Sequence, residues 1–298
     1  MDKLQKALEK ARHERKARIS PDPAAGPAPQ GTTTTLDPTA LAAEPLDEKA
    51  RVRTRVIRPT MSPAWEALPG LMPDPNHFLQ NRIMTLQPRP EATPFDILRT
   101  KVFLMMQQNN WTRLAIISPD KGCGKSTLAC NLAVGFTRQP EVNVALLDMD
   151  LRQPSVGKML GHTPKEEFKE VLIGNMPPEQ QVVRLAGNLA IAASKHSVQD
   201  PSQVLLSGNI EQVFDDIQTH FALDVMLLDL PPMLATDDAR AVLKHVDCAL
   251  IVSRADHTRV GQLDTCEREV AEHTNVVGIT LNDCRHMDGE SSYDYSND

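Results

Sequence analysis

Short apolar segments alternate with helical patterns over the last two thirds of the chain. The apolar segments are bounded by polar or turn-forming residues, which is typical of strands buried on both faces. The segments between them repeat apolar residues at helical spacing. This alternation predicts an α/β fold in which a mostly parallel sheet carries helices on both faces. The predicted strands are 114–117, 142–147, 189–193, 225–228, 249–252 and 276–281, and the predicted helices are 95–107, 125–137, 165–173, 210–220, 237–243 and 261–272.

The first residues of the chain have a different pattern. Residues 1–19 place Leu4, Ala7, Leu8 and Ala11 at helical spacing among charged residues, which predicts a basic amphipathic helix. Such a helix fits two roles equally well. It could dock on a partner protein or an anionic membrane face, or it could be a solvated helix stabilised by its own ion pairs.

Residues 20–94 are rich in Pro, Ala and Thr and hold many of the 23 prolines of the chain. Such a composition buries too little apolar surface to fold alone, so this largely disordered segment is predicted to be a flexible linker. Two apolar islands lie within it, at 65–68 and 78–84, and the second could pack on the folded core. The predicted domains are the helix at 1–19, the linker at 20–94, a nucleotide-binding domain at 95–284 and an acidic tail at 285–298.

Charge and cysteine content narrow the functional classes. The net charge of −7 argues against a nucleic-acid partner, although the first twenty residues are net positive and the tail from Asp283 is net negative. The five cysteines form no C-x-x-C pair and no zinc-spaced cluster, as in reduced cytosolic proteins. The sequence has no signal peptide and no apolar run near the ~18 residues of a membrane span, so a cytoplasmic location is predicted.

A glycine-containing loop joins the first predicted strand of the domain to a helix. The segment 114–128 reads LAIISPDKGCGKSTL. In such a loop, backbone N–H groups and a helix N-terminus point at a phosphate chain. Lys125 would reach the β- and γ-phosphates, and the Ser126 hydroxyl would bind Mg²⁺. Pro119 stands where the pattern G-x-x-x-x-G-K-[ST] has its first glycine, so the loop departs from that pattern. The candidate nucleotide-binding residues are Gly122, Cys123, Gly124, Lys125, Ser126 and Thr127.

Carboxylates follow two other predicted strands. Asp148 and Asp150 follow the strand 142–147, and Asp229 follows the strand 225–228. Ligands of an open parallel sheet bind beyond the carboxyl ends of its strands, where these residues would meet the loop. An Asp after a buried strand is typical of the residue that holds Mg²⁺ in nucleotide hydrolases and kinases. If strand geometry continued, Asp148 and Asp150 would share a face, with one holding the metal and the other acting on the attacking hydroxyl.

Three segments together carry a family resemblance. They read SPDKGCGKST, LLDMDLRQPS and DVMLLDLPPMLATDDA, and they resemble the bacterial tyrosine-kinase family that controls capsule and exopolysaccharide assembly. That family has a loop of the form S-P-x-x-G-x-G-K-S-T, a D-x-D-x-R motif and a D-x-P-P motif after the Walker B strand. The likeness covers about residues 95–282 and accounts for Pro119. The opening MDKLQKALEKAR resembles the leader of the exopolysaccharide-operon branch of the family.

The resemblance implies a P-loop NTPase fold and an ATP-dependent kinase with Mg²⁺. It implies catalytic roles for Lys125, Asp148, Asp150 and Asp229, and metal ligation by Ser126, Asp150 and Asp229. It also implies self-phosphorylation on a tyrosine-bearing tail. The two tyrosines of the chain, Tyr293 and Tyr295, both lie in the polar end GESSYDYSND, which offers no core for them to pack in.

The chain departs from the family at two points. Family tails hold a longer tyrosine cluster. Family members also carry E-x-x-R-x-x-R ahead of the loop, a motif tied to ring assembly, and here Thr93 and Asp96 leave only its last arginine, Arg99. The resemblance still implies self-association, since the tail of one subunit is phosphorylated by another. It further implies a membrane polysaccharide co-polymerase as the activating partner, at the inner face of the cell membrane.

A second functional class is a MinD- or ParA-like ATPase that acts as a nucleotide-dependent dimer switch. That family carries an additional lysine five residues before the loop lysine. Asp120 occupies this position here, and Lys121 is one place off, which disfavours the switch. A catalytically silent scaffold has little support, because the candidate phosphate and metal ligands are intact.

Overall fold

The computed structural model describes residues 63–206 and 209–284. The predicted helix at 1–19, most of the predicted linker and the tail 285–298 with Tyr293 and Tyr295 lie outside these residues. Within the described part of the chain, none of the helices is both long enough and apolar enough to cross a bilayer.

The described residues form helices and strands in alternation. The helices are α1 (Pro63–Ala67), α2 (Pro75–Gln80), α3 (Thr93–Asn109), α4 (Lys125–Phe136), α5 (Val156–Met159), α6 (Phe168–Leu172), α7 (Pro201–Leu205), α8 (Ile210–His220), α9 (Asp238–Leu243) and α10 (Val260–Ala271). The strands are β1 (Gly70–Leu71), β2 (Arg113–Ile117), β3 (Val144–Asp148), β4 (Val183–Leu185), β5 (Leu189–Ala192), β6 (Val225–Asp229), β7 (Cys248–Arg254) and β8 (Asn275–Asn282). Two short 3₁₀ turns lie at Pro90–Ala92 and Pro178–Gln180.

The strands form one sheet in the order β1-β4-β5-β3-β6-β2-β7-β8. Neighbouring strands are parallel except for β4 and β5, which are antiparallel. The predicted mostly parallel α/β sheet is confirmed. All six predicted strands are present, whereas β1 and β4 were not predicted, because strands of two and three residues are too short to show a pattern.

The sheet separates two buried apolar layers. In β2, Leu114 and Ile116 face one layer, while Ala115 and Ile117 face the other. Helices α3 and α4 pack on the first layer, and α8 and α10 pack on the second. Helices therefore cover both faces, as the apolar strands required.

The predicted linker is wrong over its last part. Residues 63–94 pack on the domain through Trp65, Phe78 and Ile83, whose exposed fractions are 2%, 1% and 1%. The Trp65 Nε1 group donates a hydrogen bond to the Phe221 carbonyl at 3.0 Å, and the two rings meet edge to face. The folded domain thus begins by Pro63 rather than at residue 95. The two apolar islands of the linker are too short to predict a core from the sequence, but each packs its apolar side chains on the domain.

Candidate active site

The loop between β2 and α4 depends on two glycines in the left-handed region. Gly122 has φ of 75° and Gly124 has φ of 87°, which other residues adopt only with strain. A Cβ on Gly124 would also collide with the side-chain amide of Asn282. Asn282 donates a hydrogen bond to the Cys123 carbonyl at 2.8 Å. The end of β8 therefore packs directly against the loop.

The segment after β6 holds the other side of the loop. The Met233 N–H donates to the Ser118 carbonyl at 2.8 Å, and the Leu234 N–H donates to the Pro119 carbonyl at 3.2 Å. Because Pro119 lacks an N–H but keeps its carbonyl, it satisfies this contact. The proline is thus compatible with a fixed loop.

Lys125, the first residue of α4, lies among carboxylates at the carboxyl edge of the sheet. Its Nζ is 2.9 Å from Asp150 Oδ2 and 3.7 Å from Asp229 Oδ1. Burial disfavours the ammonium, but the Asp229 and Asp150 carboxylates outweigh burial and raise the pKa of Lys125. A charged lysine is therefore held beside the loop.

Asp148 and Asp150 lie in the same cluster but have different partners. β3 ends at Asp148, whose Oδ2 accepts hydrogen bonds from the N–H groups of Ser155 and Val156, each at 2.9 Å. The shared strand face expected from their spacing is not formed, because the chain turns after Asp148. Burial, helped by the nearby Asp229 charge, raises the pKa of Asp148 well above its ordinary value. Asp150 uses Oδ2 for Lys125 and accepts the Gln153 N–H at 3.1 Å with Oδ1.

Three buried carboxylate oxygens accept no hydrogen bond from the described residues. They are both oxygens of Asp229 and Oδ1 of Asp148, on side chains with no exposed surface. Buried polar atoms normally have a partner, so a cation fits this place. Burial raises the pKa of Asp229, while Lys125 and Ser126 lie close enough to oppose that effect.

The donor set suits Mg²⁺ shared with a phosphate chain. No group of three or more His, Cys, Asp or Glu residues in 63–206 and 209–284 is arranged to hold a metal by itself. Mg²⁺ keeps several waters and is usually held by one or two carboxylates together with substrate phosphates. Asp229 and the Ser126 side chain, the predicted metal ligands, lie close together at this edge.

The described site brings together the predicted loop residues, Lys125 and the three carboxylates. Cys123 is buried, with its Sγ 3.7 Å from the Thr258 hydroxyl, so it faces the protein rather than the loop opening. Sequence reasoning missed Arg254 and Asn282, which end β7 and β8 next to the loop. The rule that pointed to Asp148 and Asp229, polar residues at carboxyl ends of parallel strands, could have found them.

A family model described as ParA, NUBPL iron-transfer P-loop NTPase, matches residues 111–282. The chain belongs to the ParA family of P-loop NTPases. The matched residues include the loop, the carboxylate cluster and seven of the eight strands, β2 to β8.

Several relatives of the chain, and a solved structure with the same fold, are bacterial tyrosine kinases. The tyrosine-protein kinase Wzc of Salmonella typhimurium is 28% identical over 207 residues, 66% of this chain and 28% of its own length. The tyrosine-protein kinase YwqD of Bacillus subtilis is 26% identical over 219 residues, 72% of this chain and 91% of its own length. The kinase domain of the Escherichia coli tyrosine kinase ETK has the same fold, with a TM-score of 0.61, 21% identity and coverage of 70% of this chain and 82% of that domain. The chain spans about a quarter of the length of several curated relatives, Wzc among them.

Proposed function

We propose that this chain is an ATP-dependent protein tyrosine autokinase that regulates the polymerisation or export of an exopolysaccharide or capsular polysaccharide. The observation that carries the proposal is the meeting of a phosphate loop, one charged lysine and three buried carboxylates at one edge of the sheet. Phosphoryl transfer needs positioning and charge stabilisation more than covalent chemistry, and this set of groups supplies both. The relatives named as tyrosine kinases support the same activity.

Each site residue has a role in this proposal. The backbone N–H groups from Gly122 to Thr127 bind the phosphates, and the Lys125 ammonium binds their outer oxygens. Asp229 and Ser126 hold Mg²⁺, which supplies charge neutralisation at the phosphate oxygens when bound. Asp150 orients Lys125 through the 2.9 Å contact, in addition to its predicted role at the metal. Asp148, whose Oδ1 accepts no hydrogen bond from the described residues, is the candidate base for the tyrosine hydroxyl.

The proposed acceptors are Tyr293 and Tyr295 of a second copy of the chain. The last described residues, Asp283 and Cys284, follow β8, whose final residue contacts the loop. A tail that leaves the domain here starts at the same edge as the site. Phosphate on these tyrosines would add about −1.5 to −2 charges each to an acidic segment, which would loosen contacts between subunits.

The proposed partners are further copies of the chain and a membrane polysaccharide co-polymerase that recruits it to the inner face of the cell membrane. Arg99, the remaining arginine of the ring motif, is not available for a partner. It is 8% exposed, donates to the Gly135 carbonyl at 2.7 Å and to Asp96 at 2.9 Å, and its guanidinium lies 5.7 Å from the centre of the Phe136 ring. Self-association would therefore use other residues than this arginine.

The test is to incubate the purified chain with ATP labelled at the γ-phosphate and to map the label. We expect label on Tyr293 and Tyr295, and its loss in the Tyr293→Phe, Tyr295→Phe variant. Free phosphate with no labelled protein, in the presence of the co-polymerase domain as well as in its absence, would contradict the kinase and favour the ATPase switch. A Lys125→Met variant is the control for contaminating kinases.

A further inference from the structure

An arginine lies beside the phosphate loop without a role in the site described so far. Arg254 is the last residue of β7, and β7 is the direct neighbour of β2, from which the loop leaves. Its Nη1 lies 4.0 Å from the position that a Cβ on Gly122 would occupy. Gly122 is three residues before Lys125, within the loop. The guanidinium therefore faces the part of the loop where phosphates bind.

Asp283 fixes the orientation of this guanidinium. Asp283 Oδ2 accepts a hydrogen bond from Nε at 3.0 Å and forms an ion pair with Nη2 at 2.9 Å. The nitrogen that faces Gly122 is the third one, Nη1, and it has no acceptor among residues 63–206 and 209–284. A guanidinium has five donors in a rigid fork, so binding one edge to a carboxylate leaves the donors of Nη1 for another acceptor.

The backbone around Arg254 is also fixed. The Arg254 N–H donates to the Thr258 hydroxyl at 2.9 Å, and that hydroxyl lies 3.7 Å from Cys123 Sγ. The Ala255 N–H donates to the Asn282 carbonyl at 2.9 Å, while the Asn282 side chain holds the Cys123 carbonyl. The arginine is thus attached to the loop through two separate contacts.

The negative charge of the carboxylates and of a bound triphosphate favours a second cationic side chain at the site. Lys125 already pairs with Asp150 at 2.9 Å and lies 3.7 Å from Asp229, so carboxylates of the protein compete with phosphates for its charge. A nucleoside triphosphate brings about four more negative charges, of which Mg²⁺ neutralises two. An arginine fixed beside the loop would reduce the remaining negative charge, and charge-assisted hydrogen bonds to phosphate are among the strong ones.

We propose that Arg254 binds the phosphate chain of the nucleoside triphosphate and that Asp283 is the positioning residue that aims its Nη1 at the loop. This inference rests on nucleotide binding at the loop, the first part of the proposed function, and not on the identity of the phosphate acceptor. The opposing interpretation is an ordinary surface ion pair, since both side chains are more than a third exposed.

The test measures binding rather than activity, by calorimetry on the full chain with Mg²⁺. The two probes are a non-hydrolysable ATP analogue and inorganic tripolyphosphate. We expect Arg254→Ala to weaken both about tenfold, as the loss of one charge-assisted bond to phosphate implies, and Arg254→Lys to recover part of the loss. The matched control is Arg240→Ala, because Arg240 also pairs with a carboxylate, Glu269 at 3.1 Å, and has nearly the same side-chain exposure, 37% against 36%.

Three outcomes would overturn the proposal. They are equal affinities for Arg254→Ala and Arg240→Ala, a loss for the analogue but not for tripolyphosphate, and failure of the wild type to bind either probe. Binding by the wild type without label on protein would contradict the kinase and leave the role of Arg254 standing.

The positioning role of Asp283 is tested by a double-mutant cycle. We expect Asp283→Ala to weaken binding about threefold in the wild-type background and not at all in the Arg254→Ala background, because it acts only through the guanidinium. An equal loss in both backgrounds would assign Asp283 a separate structural role and contradict the positioning role.

Discussion

Aspartates at the two edges of the sheet differ in burial and in the hydrogen-bond donors that they meet. At the amino edge, Asp247 precedes β7, and its Oδ2 accepts the N–H groups of Thr112 and Arg113, each at 2.8 Å. Asp224 precedes β6 and accepts the Asn143 N–H at 2.8 Å. These carboxylates join neighbouring strands by satisfying backbone donors. At the carboxyl edge, neither oxygen of the buried Asp229 accepts a hydrogen bond of normal length from the described residues, although Lys125 Nζ lies 3.7 Å from Oδ1.

The difference teaches that position at a strand end does not by itself define a functional aspartate. What distinguishes Asp229 from Asp247 is whether nearby donors already satisfy the carboxylate. A satisfied carboxylate stabilises the fold, whereas a buried one without donors costs free energy unless a cation binds it. Replacing Asp229, Asp247 and Glu167 tests this distinction, and replacing Trp65 tests the packing of the amino edge itself.

The largest expected effect is a loss of stability at the amino edge, where Trp65 packs against Phe221. Trp65→Ala removes a buried ring and the hydrogen bond to the Phe221 carbonyl, so we expect a loss of about 3–5 kcal/mol in the free energy of unfolding. Urea denaturation measures it. Trp65→Phe, which keeps most of the ring packing, is the milder control. Unchanged stability in Trp65→Ala would mean that residues 63–94 are not part of the folded domain.

The second prediction concerns the carboxyl edge. Asp229→Asn should slow phosphoryl transfer about 100-fold or more, because the amide cannot supply the charge that a metal ion needs. Thermal stability should stay equal or rise. Burial raises the pKa of Asp229, so its ionised form costs stability at neutral pH; the amide lacks that cost, and Asp150 at 2.9 Å still pairs with Lys125. A variant that transfers phosphate normally, or that unfolds at lower temperature, would remove the contrast with Asp247.

The third prediction is the converse at the amino edge. Asp247→Ala leaves the N–H groups of Thr112 and Arg113 without their acceptor, so we expect a loss of about 1–3 kcal/mol in the free energy of unfolding. The rate of phosphoryl transfer per folded molecule should match the wild type. Denaturation together with the transfer assay checks both. If Asp247→Ala lost most of its phosphoryl-transfer rate at unchanged stability, Asp247 would act in the reaction and not only in the fold.

The smallest expected effect comes from a satisfied carboxylate on the carboxyl side of β5. Burial opposes ionisation of Glu167, but the His196 ring and the N–H groups of His196 and Lys195 outweigh it and lower the pKa of Glu167. A lowered pKa stabilises the folded state above the unfolded-state value near 4.3, and that gain is lost as the pH falls through the folded-state value. Glu167→Gln should therefore cost up to about 1 kcal/mol at pH 7 and less at pH 3.

Melting temperatures of the wild type and Glu167→Gln, measured across this range, test the sign. A difference that grows as the pH falls would contradict it. Glu167 and Asp229 lie on the same side of the sheet, but only Glu167 has its hydrogen bonds satisfied. A small effect at Glu167 would therefore show that hydrogen bonding, and not the edge of the sheet, distinguishes the two carboxylates.

Much of the fold and part of the site could be predicted from the sequence. The apolar strands, the glycines of the loop and Lys125 follow each other closely along the chain, so their pattern is visible without the structure. The second island, with Phe78, was expected to be able to pack on the core, but the packing of Trp65 was not predicted, because its island is short and its partner Phe221 lies 156 residues away. Local composition there indicated a linker, and burial in the domain overrode it.

The mostly parallel α/β sheet, the phosphate loop and the carboxylates at the ends of two strands could be predicted from the sequence, because they are local patterns of apolar and polar residues. Tertiary contacts determine which carboxylates have hydrogen-bond donors and which distant residues reach the loop. Asp247 meets Thr112 across 135 residues, and Asn282 meets Cys123 across 159. Whether the hydrogen bonds of a carboxylate are satisfied depends on donors from other segments of the chain, and no local sequence pattern shows those donors.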